Sequence, residues 1–404
     1  MFIFSFALIF VVLTWLSFWS TPSPEQNFSP KDCLSSTNGS LDALITCLDA
    51  FTVPPDFYDV STYEAAQPTK DNLAAWKAVI WAMLEAKAGD CSDVILPDVL
   101  KDFYAVTRLF DSNPHSTHCV LSETTSFPIS SPYQNHTYAK GWGLFVVPAS
   151  PTFVSRNVHL SAPHPQADIE TPQQAAAIFT MARARSLLIS GRFRSAFGVQ
   201  TGCIIPSNPR TVYYKTDPAH DVNEPFNVAN GVIRRWQISN GGCPSETCAY
   251  VQMHGKGHST CPDDTVFISS GLGTSSSSIA WYQNETLEVP ARRLRDAART
   301  IFLSSSTLSN SFENASLWRN ISLPSDSPSC KSLTATTNVF GRLINGVPED
   351  DVCTTAAKAS SGKVRGEFVH IEQAIVSRQG GTNGKVYQMW AEVFRRTWRG
   401  VEEN

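Results

Sequence analysis

The chain has 404 residues, 42% of them hydrophobic, enough for one large core or two moderate ones. Its formal net charge of −4 gives no argument for a polyanionic partner, and no basic run with interleaved aromatics appears, so the sequence speaks against nucleic-acid binding.

Residues Phe2 to Trp19 form an apolar segment broken only by Ser5, Thr14 and Ser17. It reads as a secretory signal peptide over residues 1–22, with cleavage near Ser20 to Ser23. The alternative is a retained single-pass anchor, since no Lys or Arg precedes the run. Six N-glycosylation sequons follow, starting at Asn27, Asn38, Asn135, Asn284, Asn314 and Asn320. All ten cysteines lie downstream and read as up to five disulfides. Together these features predict a secreted glycoprotein carrying N-glycans, with no membrane contact unless the first segment is kept. Cys243, Cys248 and Cys261 lie close together but lack a paired zinc framework, so disulfides are expected there. Cys330 and Cys353 look like a local loop closure.

Residues 23–140 form an N-terminal extension. Its first part is rich in Ser, Pro and Asn, and Leu73, Trp76, Ile80, Met83 and Leu84 mark an amphipathic helix ending near Gly89. From Gly141 to Pro148 the chain reads as a buried strand, and Phe153 to Leu160 as another. A helix should begin at Thr171, capped by Thr171, with Pro172 in the first turn, Gln174 completing a capping box and Gly191 following as the stop. Phe226, Ala229, Ile233 and Trp236 give another helix. Ala249 to Met253 is a strand leading into His254-Gly255, and Val266 to Ser269 a short one. Leu294, Ala298, Ile301 and Phe302 form a helical face, and residues 304–337, rich in Ser and Thr, read as a surface insertion. Phe368 to Glu372 is a strand ending in a carboxylate, and a last helix runs from about Lys385 to Arg399. Strands alternating with helices predict an α/β fold over 141–404: three layers, with a mixed, mostly parallel sheet flanked by helices and an N-terminal helical extension.

The chemistry concentrates in His164-Pro165-Gln166-Ala167-Asp168-Ile169-Glu170-Thr171, on a strand-to-helix loop. Such loops, at the carboxyl ends of strands, are where sites in α/β sheets collect. A zinc hydrolase needs a few His and carboxylate ligands and an open position for water. His164 with Asp168 or Glu170 forms a close pair, and His254 at a distant strand end is the expected partner; Asp168 and Glu170 remain alternatives. His258 gives an H-x-x-x-H pattern with His254, but Gly255 and Gly257 argue against a helix. Glu372 is the candidate general base. Arg192 or Arg194 could hold a substrate carboxylate, and Arg194 is preferred because Phe193 should point the opposite way. His220, in Asp217-Pro218-Ala219-His220-Asp221, is expected to line the pocket or stabilise an oxyanion.

Ala162-Pro163-His164, then Asp168-Ile169-Glu170-Thr171 and a helix, is similar to the ligand loop of zinc amidohydrolases of the phosphorylase/hydrolase-like fold. Poly-γ-glutamate hydrolases, N-formylglutamate amidohydrolases and N-acetylmuramoyl-L-alanine amidases share that theme. The resemblance covers roughly residues 155–260 and 366–375. It implies one zinc ion, a second zinc histidine at His254 and a catalytic carboxylate at Glu372. His164 and Glu170 stand one residue further apart than in that pattern. The resulting expectation is a secreted hydrolase that cleaves an amide bond of a small-molecule or peptide-like substrate, with zinc-bound water as nucleophile. The competing reading is a secreted or surface-anchored binding protein on a degenerate hydrolase fold. A histidine phosphatase would need an Arg before His254-Gly255, where Met253 stands, and no Gly-x-Ser-x-Gly elbow of a serine hydrolase is present.

Overall fold

Short segments rich in apolar residues become buried strands, and amphipathic ones become covering helices. The computed structural model describes residues 29–37, 39–112, 115–129, 134–303, 318–380 and 384–400. The apolar Phe2–Trp19 segment, and the sequons at Asn27, Asn38 and Asn314, lie outside the described residues. The strands are β1 (Tyr104–Asp111), β2 (Ser116–Glu123), β3 (Ser126–Pro128), β4 (His136–Tyr138), β5 (Leu144–Pro148), β6 (Arg156–Ala162), β7 (Ala184–Ile189), β8 (Cys248–Gly255), β9 (Asp264–Ser269), β10 (Asn320–Ser322) and β11 (Phe368–Gln373). Nine of them form one sheet in the order β1-β2-β5-β7-β6-β8-β11-β9-β10, and β3 pairs with β4 in a small ribbon. The central run β7-β6-β8-β11 is parallel throughout, while the β1-β2-β5 flank is antiparallel.

The helices are α1 (Pro30–Ser36), α2 (Leu41–Asp49), α3 (Val60–Ala66), α4 (Lys70–Leu84), α5 (Thr171–Ala182), α6 (Pro225–Ser239), α7 (Ser276–Gln283), α8 (Pro290–Phe302) and two more at Val339–Ile344 and Lys385–Thr397. Side chains alternate across each strand, so the sheet has two interior faces. Leu160, Ala162, Val251, Met253, Val369 and Ile371 face a core shared with α2, α5, α8 and the C-terminal helix. Tyr250, Phe368 and Leu188 face a second core shared with α4, α6 and the helix Val339–Ile344. The result is the expected three-layer α/β architecture.

Several local expectations are corrected. The α5 cap is Glu170, in a left-handed conformation at φ 73°, and Thr171 is the first helical residue. Gln174 does not close a capping box; its side chain is turned inward, where it exchanges hydrogen bonds with Gln373 at 2.9 and 2.8 Å. The helix stops at Ala182 rather than near Gly191, because Arg183 takes φ 52° and the following apolar run becomes the buried strand β7. The sheet also runs through the boundary expected at residue 140: the extension supplies helices, but β1 and β2 pair onto β5. The 304–337 segment is more than a surface insertion. Its described part, from Trp318, stacks Trp318 on Phe302 at 4.4 Å and buries Ile321 and Leu323 beside β9.

Cysteines pair as Cys33–Cys47, Cys91–Cys119, Cys203–Cys353, Cys243–Cys248 and Cys261–Cys330. The expected Cys330–Cys353 closure is replaced by two longer links, spanning 69 and 150 residues, which tertiary packing and not sequence spacing brings together. Among the described residues no helix is long and apolar enough to cross a membrane. The described sequon asparagines Asn135, Asn284 and Asn320 are all exposed.

A candidate metal centre at the carboxyl edge of the sheet

From β6 the chain passes through α5 to β7 on one side, then through α6 to β8 on the other. The loop after β6 therefore sits where strand order reverses, and a crevice opens there. His164 and Asp168 occupy this loop. It is closed by Asp168 N donating to His164 O at 2.9 Å and Thr171 N donating to Asp168 O at 3.0 Å. His254 ends β8, and Glu372 pairs directly with it across the parallel β8–β11 register. In that register His370 pairs with Gln252, so Gln252, His254, His370 and Glu372 share one face. A cavity of about 300 Å³ opens over that face, lined by His164, Asp168, His254, His370 and Glu372, with Arg194, Tyr213, His220 and residues 331–332 and 334–338 forming the walls.

The two imidazoles turn the same nitrogen toward one carboxylate. His164 Nδ1 lies 3.2 Å and His254 Nδ1 3.4 Å from Asp168 Oδ2. Their outer nitrogens are held from behind. His164 Nε2 is 3.0 Å from Asp217 Oδ1, and His254 Nε2 is 3.4 Å from Gln252 Oε1, which also accepts from Asn338 Nδ2 at 2.7 Å. An acceptor behind each ring holds a proton on Nε2, so a metal ion entering the cluster would displace only the inward Nδ1 proton and bind there, as metal-binding histidines require. Asp217 is itself fixed by Ala219 N at 3.0 Å and approached by His220 Nδ1 at 2.9 Å.

Glu170 does not join this group. It sits at the helix start and accepts from the Tyr387 hydroxyl at 2.6 Å. His258 is exposed and does not line the cavity. Arg192, the alternative to Arg194, is fully buried, ion-paired to Glu224 at 2.9 Å. Arg194 is exposed on the cavity wall. His220 stacks on Tyr213 with ring centroids 3.6 Å apart, and its Nε2 lies 3.1 Å from Thr337 Oγ1, so both its nitrogens face protein partners.

Sequence reasoning missed His370, Asp217 and Arg378. His370 Nε2 lies 3.6 Å from Glu372 Oε1, and its ring centroid is 4.3 Å from that of His254. His254, His370 and Glu372 thus form a second donor group sharing one residue with the first. Arg378 packs against Gly255, where any side chain would collide with its guanidinium. The period-2 rule carried a signal for His370, two residues before Glu372; Asp217 and Arg378 had no local signal.

Charge is sharply divided. Burial would depress His164, but the carboxylates of Asp217 and Asp168 outweigh it and hold the imidazole up to about 9. Burial opposes ionisation of Asp168 and Asp217, yet the neighbouring histidines hold both carboxyls well below the usual carboxylate range. Burial pushes His254 down to about 4, and burial with the Asp168 charge pushes Glu372 up to about 8. Two imidazole nitrogens and one carboxylate oxygen, all inward and close together, are the donor set that suits zinc. His164, Asp168 and His254 therefore fit a metal ion.

No family model matches the chain, and no curated protein sequence does. Among solved structures, a putative carboxypeptidase A from Shewanella denitrificans OS-217 overlaps 63% of this chain at 10% identity and a TM-score of 0.29. The chain spans 60% of that protein's length. A succinylglutamate desuccinalase from Vibrio parahaemolyticus overlaps 74% of this chain and 77% of its own, at 13% identity and a TM-score of 0.30. Neither likeness reaches a TM-score of 0.5, so the chemistry below rests on this chain's own residues.

Proposed function

We propose that the protein is a secreted, zinc-dependent hydrolase that cleaves an amide bond in a small or peptide-like substrate. The observation that carries this reading is the convergence of His164 Nδ1 and His254 Nδ1 on Asp168, with the outer nitrogens braced by Asp217 and Gln252. Zinc held by these three side chains would supply Lewis acidity, polarising the scissile carbonyl and acidifying water.

The remaining roles fall to the chain's own groups. Glu372 lies on the same face, one strand from His254, with a carboxyl that burial and Asp168 raise to about 8. With zinc held by Asp168, that carboxylate's charge would be offset and Glu372 brought back down, so that in this reading Glu372 is ionised, accepts the proton of the attacking water and passes it to the leaving amine. Arg194, exposed on the cavity wall, holds a substrate carboxylate. His220 and Tyr213 form a flat wall against which the substrate packs, and His220 keeps Asp217 in place behind His164. Secretion is supported by the five disulfides and the exposed sequon asparagines.

The test uses zinc-loaded protein and a panel of N-acyl amino acids and dipeptides. Glu372→Gln is expected to keep its zinc and lose roughly 10²-fold or more in turnover. Full activity in that variant would place the base elsewhere. No amide turnover with zinc bound would leave a non-catalytic metal-binding protein.

A further inference from the structure

A second cavity, of about 360 Å³, lies outside the candidate metal centre. It sits between α4, α6, the helix Val339–Ile344 and the turn Glu349–Asp351. One layer of chain separates the two spaces: Ala219 and Asn338 line the metal-centre cavity, Val222 and Val339 line this one, and Val339 N donates to Ala219 O at 3.0 Å. The far wall is pinned by the Cys203–Cys353 disulfide and by Arg342 Nη1 donating to Val352 O at 2.7 Å.

The chemistry of the lining is divided. Val228, Phe340 and Leu343 give an apolar floor. Lys77 and Arg235 stand on the helical wall, and Glu349 and Asp350 on the turn facing them. All four charges are exposed, and none joins an ion pair among the described residues. A purely apolar ligand would draw nothing from these four charges, and a simple anion would also meet two carboxylates. Gly231 adds an independent observation. It lies inside α6 on the cavity wall, where glycine is among the poorest helix formers. No crowding requires it, since an added Cβ would meet only Arg235 Nη1, at 3.5 Å. A larger side chain at this lining position would take up cavity space.

We propose that this cavity is a binding site for a short zwitterionic peptide with apolar side chains. Its carboxylate meets Lys77 and Arg235, its ammonium meets Glu349 and Asp350, and its side chains cover the apolar floor. The volume is at the low end of small-molecule sites and suits a ligand of dipeptide size.

Calorimetric titration of the full chain with leucyl-leucine, its C-terminal amide and its N-acetyl form tests this, with zinc chelated so that no turnover intervenes. The free dipeptide is expected to bind, and capping either end to weaken binding at least tenfold. The Lys77→Ala/Arg235→Ala pair should remove the cost of amidation, and the Glu349→Gln/Asp350→Asn pair the cost of acetylation. In an Arg194→Ala background, which removes the carboxylate contact proposed at the metal centre, Gly231→Leu should abolish the remaining binding while the melting temperature and zinc uptake stay at the background's values. The proposal is overturned if the dipeptide does not bind, if capped and free forms bind alike, or if binding survives Gly231→Leu in that background. Should that variant fail to fold, the two surface charge pairs decide alone: unchanged discrimination between capped and free ends overturns the site.

Discussion

His159 and His164 lie five residues apart, one inside β6 and one just beyond it, and both are almost fully buried. Their surroundings differ completely. His159 is held by neutral groups, Ser186 Oγ at 2.8 Å and Gln237 Oε1 at 3.0 Å, and burial pushes it down to about 3. His164 lies between two carboxylates that overcome the same burial and hold it up to about 9. Burial alone therefore does not mark a site. The first histidine is a satisfied core residue, locked between hydroxyl and amide. The second has one nitrogen anchored by Asp217 and the other turned to Asp168 and His254.

The largest expected difference between the two is in metal binding and turnover. His164→Ala should remove stoichiometric zinc and with it the proposed amide hydrolysis, whereas His159→Gln should leave the metal in place. A smaller effect is expected one step back from the ion. Asp217→Asn keeps the shape but weakens the acceptor behind His164, and zinc affinity should fall roughly 10- to 100-fold, read by competition with a chromogenic chelator. Unchanged affinity would remove Asp217 from its positioning role.

The smallest effect concerns stability and sharpens the comparison from the other side. His159 stays neutral in the fold down to about pH 3, while in the unfolded chain it takes a proton below its ordinary 6.5. Between those values the unfolded state binds more protons, so stability should fall as pH falls, by up to about 1.4 kcal/mol per pH unit. His118, which burial pushes down to about 4, acts in the same direction. His159→Gln should flatten the denaturation midpoint against pH between 6.5 and 3 without changing behaviour above 7. A slope identical to wild type would mean that His159 is charged in the fold.

The sequence made the layers legible because the central strands carry apolar residues on alternate positions and the helices carry one apolar face. It also made His164, His254, Asp168 and Glu372 legible, since each sits at or beside a strand end where a parallel sheet collects its site. What it hid was set at long range. Asp217 stands 53 residues from His164, and only the fold brings them together. That Asp168 and not Glu170 faces His164 and His254 goes with left-handed conformations at Gln166 and Glu170, residues with no glycine to announce them. The same holds at Arg183, where a left-handed residue ends α5 before the expected glycine. His370 was the one avoidable omission, because alternation along β11 places it beside Glu372.

The most direct test of the account is the zinc content of purified protein after loading and exhaustive dialysis, measured by mass spectrometry of the metal. The account predicts one zinc per chain for the wild type and for His159→Gln, and none for His164→Ala or His254→Ala. Stoichiometric zinc surviving in both of the last two variants, or no zinc in the wild type, would contradict it.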